Sequence, residues 1–236
     1  MIKYTCLIPH GRTTLVPTLT SIVNQTILPK KICIVDNKDV STPPDSYFYN
    51  ICRYKGIQLV YESSSAQSIA RVRYELSNRN ETDYCLWVDD DVILNSTYVE
   101  QLSHFISENV GMIQGTRIEC NGRENSPLDI NKMNSFNIQE SMDLDYGDTF
   151  GLLCSRLALE KINWKKILEI LDAPGVTGED VIMGNMVRDS GLKILGISDV
   201  FGWHIAPKTF SYWNTLLASD RLRELHFSQN TTGVNE

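Results

Sequence analysis

Apolar residues fall along this chain in two alternating rhythms. One is the short continuous run: "YTCLIP" (4–9), "KKICIVDN" (30–37), "GIQLVYES" (56–63), "DYCLWVDDD" (83–91), "GMIQGTRIE" (111–119) and "KILGISDVFGWHI" (193–205). Runs of this length, rich in β-branched residues and ending in polar positions, predict buried strands. The other rhythm is recurrence every three or four residues. It predicts helices over 13–26, with Leu15, Leu19, Ile22 and Val23 on one face, and over 68–80, with Ile69, Val72 and Leu76. A third covers 96–109, with Ser96 as its N-cap. Pro17 suits the first turn of the first of these. "TFGLLCSRLALEKI" (149–162) reads as a strand running into a helix that resumes over 162–173 after a break near Asn163. A last helix spans 179–191 and stops at Gly191.

Strands alternating with helices over short links predict an α/β fold: a Rossmann-like, mostly parallel central sheet flanked by helices. In such sheets ligands bind beyond the carboxyl ends of the strands. The polar ends "IPHGR", "VDN" and "VDDD" are therefore expected along one rim. Two segments break the rhythm. Residues 119–148 are polar and acidic, and read as a long excursion over that rim, part-helical near 137–144. The stretch 207–226 is amphipathic at "WNTLLASDRLRELHF". Beyond them lies a frayed polar tail, 227–236.

With 236 residues the chain suits one α/β domain spanning 1–236, and its 42% hydrophobic and 22% charged residues are those of a soluble globular protein. A net charge of -7 leaves no basic excess for a nucleic acid, so none is expected as partner. No apolar run reaches the roughly 18–20 residues of a membrane span, and the N-terminus reads as a strand rather than a signal peptide. The expected location is the cytoplasm, with "RLRELHF" as the one candidate for peripheral contact at the inner membrane face. Six scattered cysteines show no C-x-x-C spacing, which argues against zinc; Cys6, Cys33, Cys85 and Cys154 fall in apolar runs and read as core. The sequons at Asn24, Asn80, Asn95 and Asn230 read as chance matches.

The chemistry concentrates in three places. Asp89, Asp90 and Asp91 close an apolar strand, where unpaired carboxylates are costly to bury. A hard divalent cation, Mg²⁺ or Mn²⁺, takes one or two carboxylates, keeps water and accepts diphosphate oxygens, and would neutralise them. Strand alternation turns Asp89 and Asp91 one way and Asp90 the other. In "VTGEDVIMGNMV", Glu179 and Asp180 open a helix after a glycine; they suit the helix dipole, and could also present a general base to a hydroxyl. In "FGWHIAPKT", His204 is a candidate cation ligand and Trp203 reads either as core or as a platform for the apolar face of a sugar ring.

In this order the pieces resemble the family-2 glycosyltransferases of the GT-A fold. The similarity runs through "CLIPHGRTTLVPTLTSIVNQTILPKKICIVDNKD", "SIARVRYELSNRNETDYCLWVDDDVIL" with its D-x-D motif, "FGLLCSRLALEKI", "GEDVIMGNMVRDSG" and "GWHI", over about residues 3–205. The resemblance implies a metal-dependent transfer of a sugar from a nucleotide-diphosphate donor, UDP- or GDP-linked, to a hydroxyl of a glycan, lipid-linked or protein acceptor. It implies that Pro9, His10, Gly11 and Arg12 line the base pocket, that Asp36 hydrogen-bonds the base, and that Arg71 lies near the base or diphosphate. Asp89 would approach the ribose or donor sugar, with Asp90 in the same donor-side group. Asp91 would bind the cation with His204, Asp89 being a further candidate ligand. Asp180 would be the base and Glu179 its helper, giving inversion. Residues 1–95 would form the nucleotide-sugar half and 96–226 the acceptor half. "IPHGR", "VDNKD" and "IARVR" depart from the family pattern around the base. A nucleotidyltransferase acting on sugar phosphates, or a non-catalytic carbohydrate-binding derivative, is the competing reading; the first normally has a Gly-rich basic loop where this chain has "PHGRTT".

Overall fold

A computed structural model of the chain describes residues 2–11, 14–37, 43–119, 141–172 and 178–205. The first part is a regular alternation: β1 (Tyr4–His10), α1 (Val16–Val23), β2 (Lys31–Asp36), α2 (Ser46–Tyr54), β3 (Gln58–Ser63), α3 (Ile69–Ser77) and β4 (Tyr84–Trp87). Then follow β5 (Val92–Leu94), α4 (Tyr98–Ser103), β6 (Val110–Glu119), β7 (Ser141–Asp143), β8 (Leu152–Ser155), α5 (Arg156–Lys161), α6 (Trp164–Leu171), α7 (Glu179–Asp189) and β9 (Lys193–His204). The strands form one sheet in the order β3-β2-β1-β4-β8-β6-β9-β5, with β7 on β9. β1–β4, β6 and β9 run one way; β5, β7 and β8 run against them. The expected mostly parallel α/β sheet is therefore present.

Both faces of the sheet are covered, which is why its strands read as continuous apolar runs. Period-two alternation sorts each strand between two cores. Cys6, Ile8, Ile32, Ile34, Leu86 and Val88 face α1, α2 and α4. Leu7, Cys33, Val35, Cys85 and Trp87 face α3, α5, α6 and α7. Cys6, Cys33, Cys85 and Cys154 are buried and unbridged, as a core role requires.

The helices start where short polar side chains satisfy their first amides. Ser68 accepts from the Arg71 amide, Ser155 from Ala158 and Asn163 from Lys166. α7 ends two residues before Gly191, whose φ of 87° is a left-handed stop. Three elements depart from the sequence reading. The helix expected over 96–109 is only α4, preceded by Thr97 rather than Ser96, because β6 claims the chain from Val110. The helical reading near 137–144 is overturned at 141–143, where β9 recruits β7 as an antiparallel partner, Met142 opposite Gly196; residues 137–140 lie outside the described residues. α2 was not foreseen: Asp45 caps it and Phe48 and Cys52, four apart, anchor it.

Behind the site, the buried Tyr98 hydroxyl donates to the Gly151 carbonyl (2.7 Å) and accepts from the Gly115 amide (2.9 Å). A Cβ on Gly115 would stand 2.4 Å from the Val200 carbonyl oxygen, so glycine is required for β6 to pass there.

Candidate active site

β4 ends at Trp87, and the three aspartates occupy the turn between it and β5, closed by the Val92 amide donating to the Asp89 carbonyl (3.3 Å). The strand expected through Asp91 stops at Trp87, so the three carboxylates part by turn geometry and not by strand alternation. The Asp90 carboxylate turns back on β1: its Oδ2 lies 2.9 Å from His10 Nδ1 and accepts from the Gly11 amide at 3.0 Å. The Asp90 carbonyl takes the Thr18 hydroxyl at 2.9 Å. Asp90 thus fastens the "PHG" stretch and α1 to the aspartate turn. Asp91 Oδ2 faces the end of β9, 3.3 Å from His204 Nε2, while the Ile205 amide donates to the Asp91 carbonyl at 2.8 Å. The pairing of Val92 with His204 fixes that approach through the backbone. Asp89 Oδ1 is held at 2.9 Å by Arg73 Nη2. Burial, with Asp91, Asp148 and Asp90 nearby, pushes Asp89 up to about 7 against the pull of Arg73.

The opposite wall is the start of α7. Gly178, at φ 114°, turns the chain into the helix. Glu179 points inward, its Oε1 2.9 Å from Arg73 Nε and its Oε2 accepting from the Gly178 amide at 3.1 Å. Asp180 faces the cavity, and its Oδ1 accepts from the Val181 amide at 2.8 Å. Burial raises the Asp180 pKa, Glu179 and Asp148 add to the rise, and the Val181 amide and Arg73 oppose it. Asp148, which pairs with Arg117, and Thr149 enter from the loop before β8; the Asp148 amide donates to Gln114 Oε1 at 2.6 Å.

These groups line one cavity of about 570 Å³. From the sequence-predicted set it collects Pro9, Gly11, Asp89, Asp90, Asp91, Glu179, Asp180 and His204. The His10 ring is buried behind it on Asp90. Asp36 lies buried under β3, accepting from the Tyr61 hydroxyl. Trp203 packs with Ile93, Ile118 and Ile205 in a small core instead of lining the cavity. Arg71 is on the far side of α3, its Nε donating to Asp172 at 3.2 Å, beside a separate depression with Tyr74 and Lys165. Arg12 lies outside the described residues. Sequence reasoning missed Asn37, Gln67, Arg73, Arg117, Asp148 and Thr149 as lining residues. Asn37 had a signal, since it follows Asp36 at the polar end of a strand; an arginine on a helix has none.

A family profile described as "Glycosyltransferase like family 2" matches residues 9–225. The chain belongs to this glycosyltransferase family. No curated protein matches its sequence significantly. Among solved structures it is similar to S. aureus TarS 1–349 in complex with UDP, at TM-score 0.63 and 17% identity over 87% of this chain and 61% of that one. A TarS 1–349 complex with UDP-GlcNAc gives 0.63 and 18%, over 87% and 59%. GalNAc-T7 with UDP, GalNAc and Mn²⁺ gives 0.64 and 12%, over 87% and 44%. The chain therefore has the GT-A fold and spans about half the length of these relatives.

Among the described residues no cluster of three or more His, Cys, Asp or Glu side chains has the geometry of a metal centre. The pair that does converge, Asp91 and His204, fits a cation shared with a ligand. Donor atoms 3.3 Å apart suit neighbouring positions around an ion with ~2.1 Å bonds, the remainder falling to water and phosphate oxygens. Asp89 is less suited as a third ligand, because Arg73 already occupies its Oδ1. No described helix is long and apolar enough to cross a membrane.

Proposed function

We propose that the protein transfers a sugar from a nucleotide-diphosphate donor to an acceptor hydroxyl, with inversion. The observation that carries this is that one cavity holds Asp91 with His204 on one wall and Asp180, at raised pKa, on another. Asp91 and His204 would hold a Mn²⁺ or Mg²⁺, which would offset the charge developing on the diphosphate. Asn37, Pro9 and Gly11 border the donor end, and Asp90 keeps the Gly11 backbone in place. Asp180 takes the proton of the acceptor hydroxyl; that oxygen bonds to the anomeric carbon as the bond to the diphosphate oxygen breaks, and the electron pair leaves with the diphosphate. TarS structures with UDP and UDP-GlcNAc, and GalNAc-T7 with UDP and Mn²⁺, favour a UDP-sugar donor. Donor binding falls mainly to residues 1–95 and acceptor binding to 96–226, with His204 crossing to the donor side.

A thermal-shift series with UDP-, GDP- and dTDP-sugars, with and without Mn²⁺, tests the reading, since a ligand that binds only the folded chain raises its melting temperature. A rise with one nucleotide-sugar that requires the cation, and is lost in Asp91→Ala, supports it. A rise without metal, or none with any donor, sinks it.

A further inference from the structure

The cavity floor contains a cation that the proposed chemistry does not use. Arg73 lies on the inner face of α3, its side chain only 5% exposed. Its Nη2 is 2.9 Å from Asp89 and its Nε 2.9 Å from Glu179, so one planar guanidinium spans the aspartate turn and the first turn of α7. The Nε contact is poorly aligned for a hydrogen bond, and Nη1 is buried with no partner among the described residues. Desolvation would favour loss of the proton, but Asp89, Glu179, Asp180 and Asp148 outweigh it, and Arg73 is held above its usual range as a permanent cation.

We propose that Arg73 is a positioning residue: by tying Glu179 to Asp89 it sets the separation between the donor-side aspartates and Asp180. This rests on the glycosyl-transfer reading. Asp180 is the next residue after Glu179, and Gly178, without side-chain contacts of its own, precedes it. Arg73 is thus the side-chain link that carries the geometry of the aspartate turn to the helix start. A surface ion pair would contribute little. Here both carboxylates lose their compensation if the arginine goes, and an arginine fork, unlike a lysine, can serve both at once. A misplacement of the base by about 1 Å costs roughly 10²-fold in rate.

The experiment compares kcat, donor KM and the acidic limb of the kcat profile in three variants. Arg73→Lys keeps the charge and loses the bridge; kcat is expected to fall by about 10²-fold with donor KM little changed and the limb in place. Arg73→Met also removes the cation that opposes the rise at Asp180, so its limb moves to higher pH. Glu179→Gln removes an anion that raises Asp180, so its limb moves to lower pH. A purely structural role would reduce the fraction of active protein while the folded Arg73→Lys molecules keep wild-type kcat. Wild-type kcat in folded Arg73→Lys, limbs that stay put in Arg73→Met and Glu179→Gln, or a loss confined to donor KM overturns the proposal. If Arg73→Met does not fold, Arg73→Lys and Glu179→Gln still decide it. A wild-type chain that turns over no nucleotide-sugar removes the transfer reading itself, whereas turnover with unaltered variants removes only the positioning role.

Discussion

Two acidic clusters face each other across the cavity, and they are built on the same division of labour by different means. In the turn after β4, Asp90 is bound to His10 and Gly11 while Asp91 is left to face His204. At the start of α7, Glu179 is bound to Arg73 and Gly178 while Asp180 is left to face the cavity. In each, one carboxylate accepts from a backbone amide and its neighbour lines the cavity. The turn separates them as its two central residues, between Asp89 and Val92; the helix separates them by about 100° of rotation. The difference appears in the partners. The turn's holder reaches a ring and an amide at the end of the neighbouring parallel strand β1, whereas the helix's holder combines the adjacent Gly178 amide with a charge from α3.

The contrast can be broken from either side. The largest effect is expected at Asp180→Asn, which keeps the shape and removes the base: transfer falls by about 10²- to 10⁴-fold while donor-induced stabilisation survives, read by steady-state turnover beside thermal shift. Undiminished turnover would mean that the hydroxyl is activated elsewhere. Next is Asp90→Ala. It strips an acceptor from the exposed Gly11 amide and a partner from the buried His10 ring, and is expected to destabilise the fold by about 1–3 kcal/mol in urea unfolding. Asp90 is a holder, so the stability loss should exceed the loss of rate among molecules that remain folded. Gly178→Ala forces an L-residue to φ 114°, and is expected to lose roughly 1–2 kcal/mol with kcat falling more than donor affinity.

How much of this could be read from the chain follows the same line. The rim of strand ends, the aspartate turn, the Glu179–Asp180 pair and His204 were legible, because each is a local break in a clear periodicity. Arg73 was not. Apolar patterning treats every arginine on a helix as solvated, and the family resemblance pointed to Arg71, two residues away and about 200° around α3. β7 and Asp148 were hidden for another reason: their placement comes from pairing with β9 and from Gln114, contacts that no local window contains. Trp203 could be read as core or as a platform, and its packing with Ile93, Ile118 and Ile205 decides for core. The smallest expected effect belongs to this comparison of helix faces: Arg71→Ala should leave donor-induced stabilisation unchanged and barely move the melting temperature, since its exposed pair with Asp172 is screened. A lost donor response there would return Arg71 to the site.

β9 has a consequence for how the molecule comes into being. It pairs with β6, β7 and β5, and its last residues set His204 opposite Val92, over a hundred positions earlier in the chain. Contacts of such separation form late, because a long loop must close before they repay its entropy. β1, β2 and β3 pair with near neighbours in sequence, whereas the Asp91–His204 approach exists only after β9 has docked. A chain arrested before that step would present the aspartate turn without His204 beside it, so the proposed cation pair depends on one of the most distant contacts in the sequence.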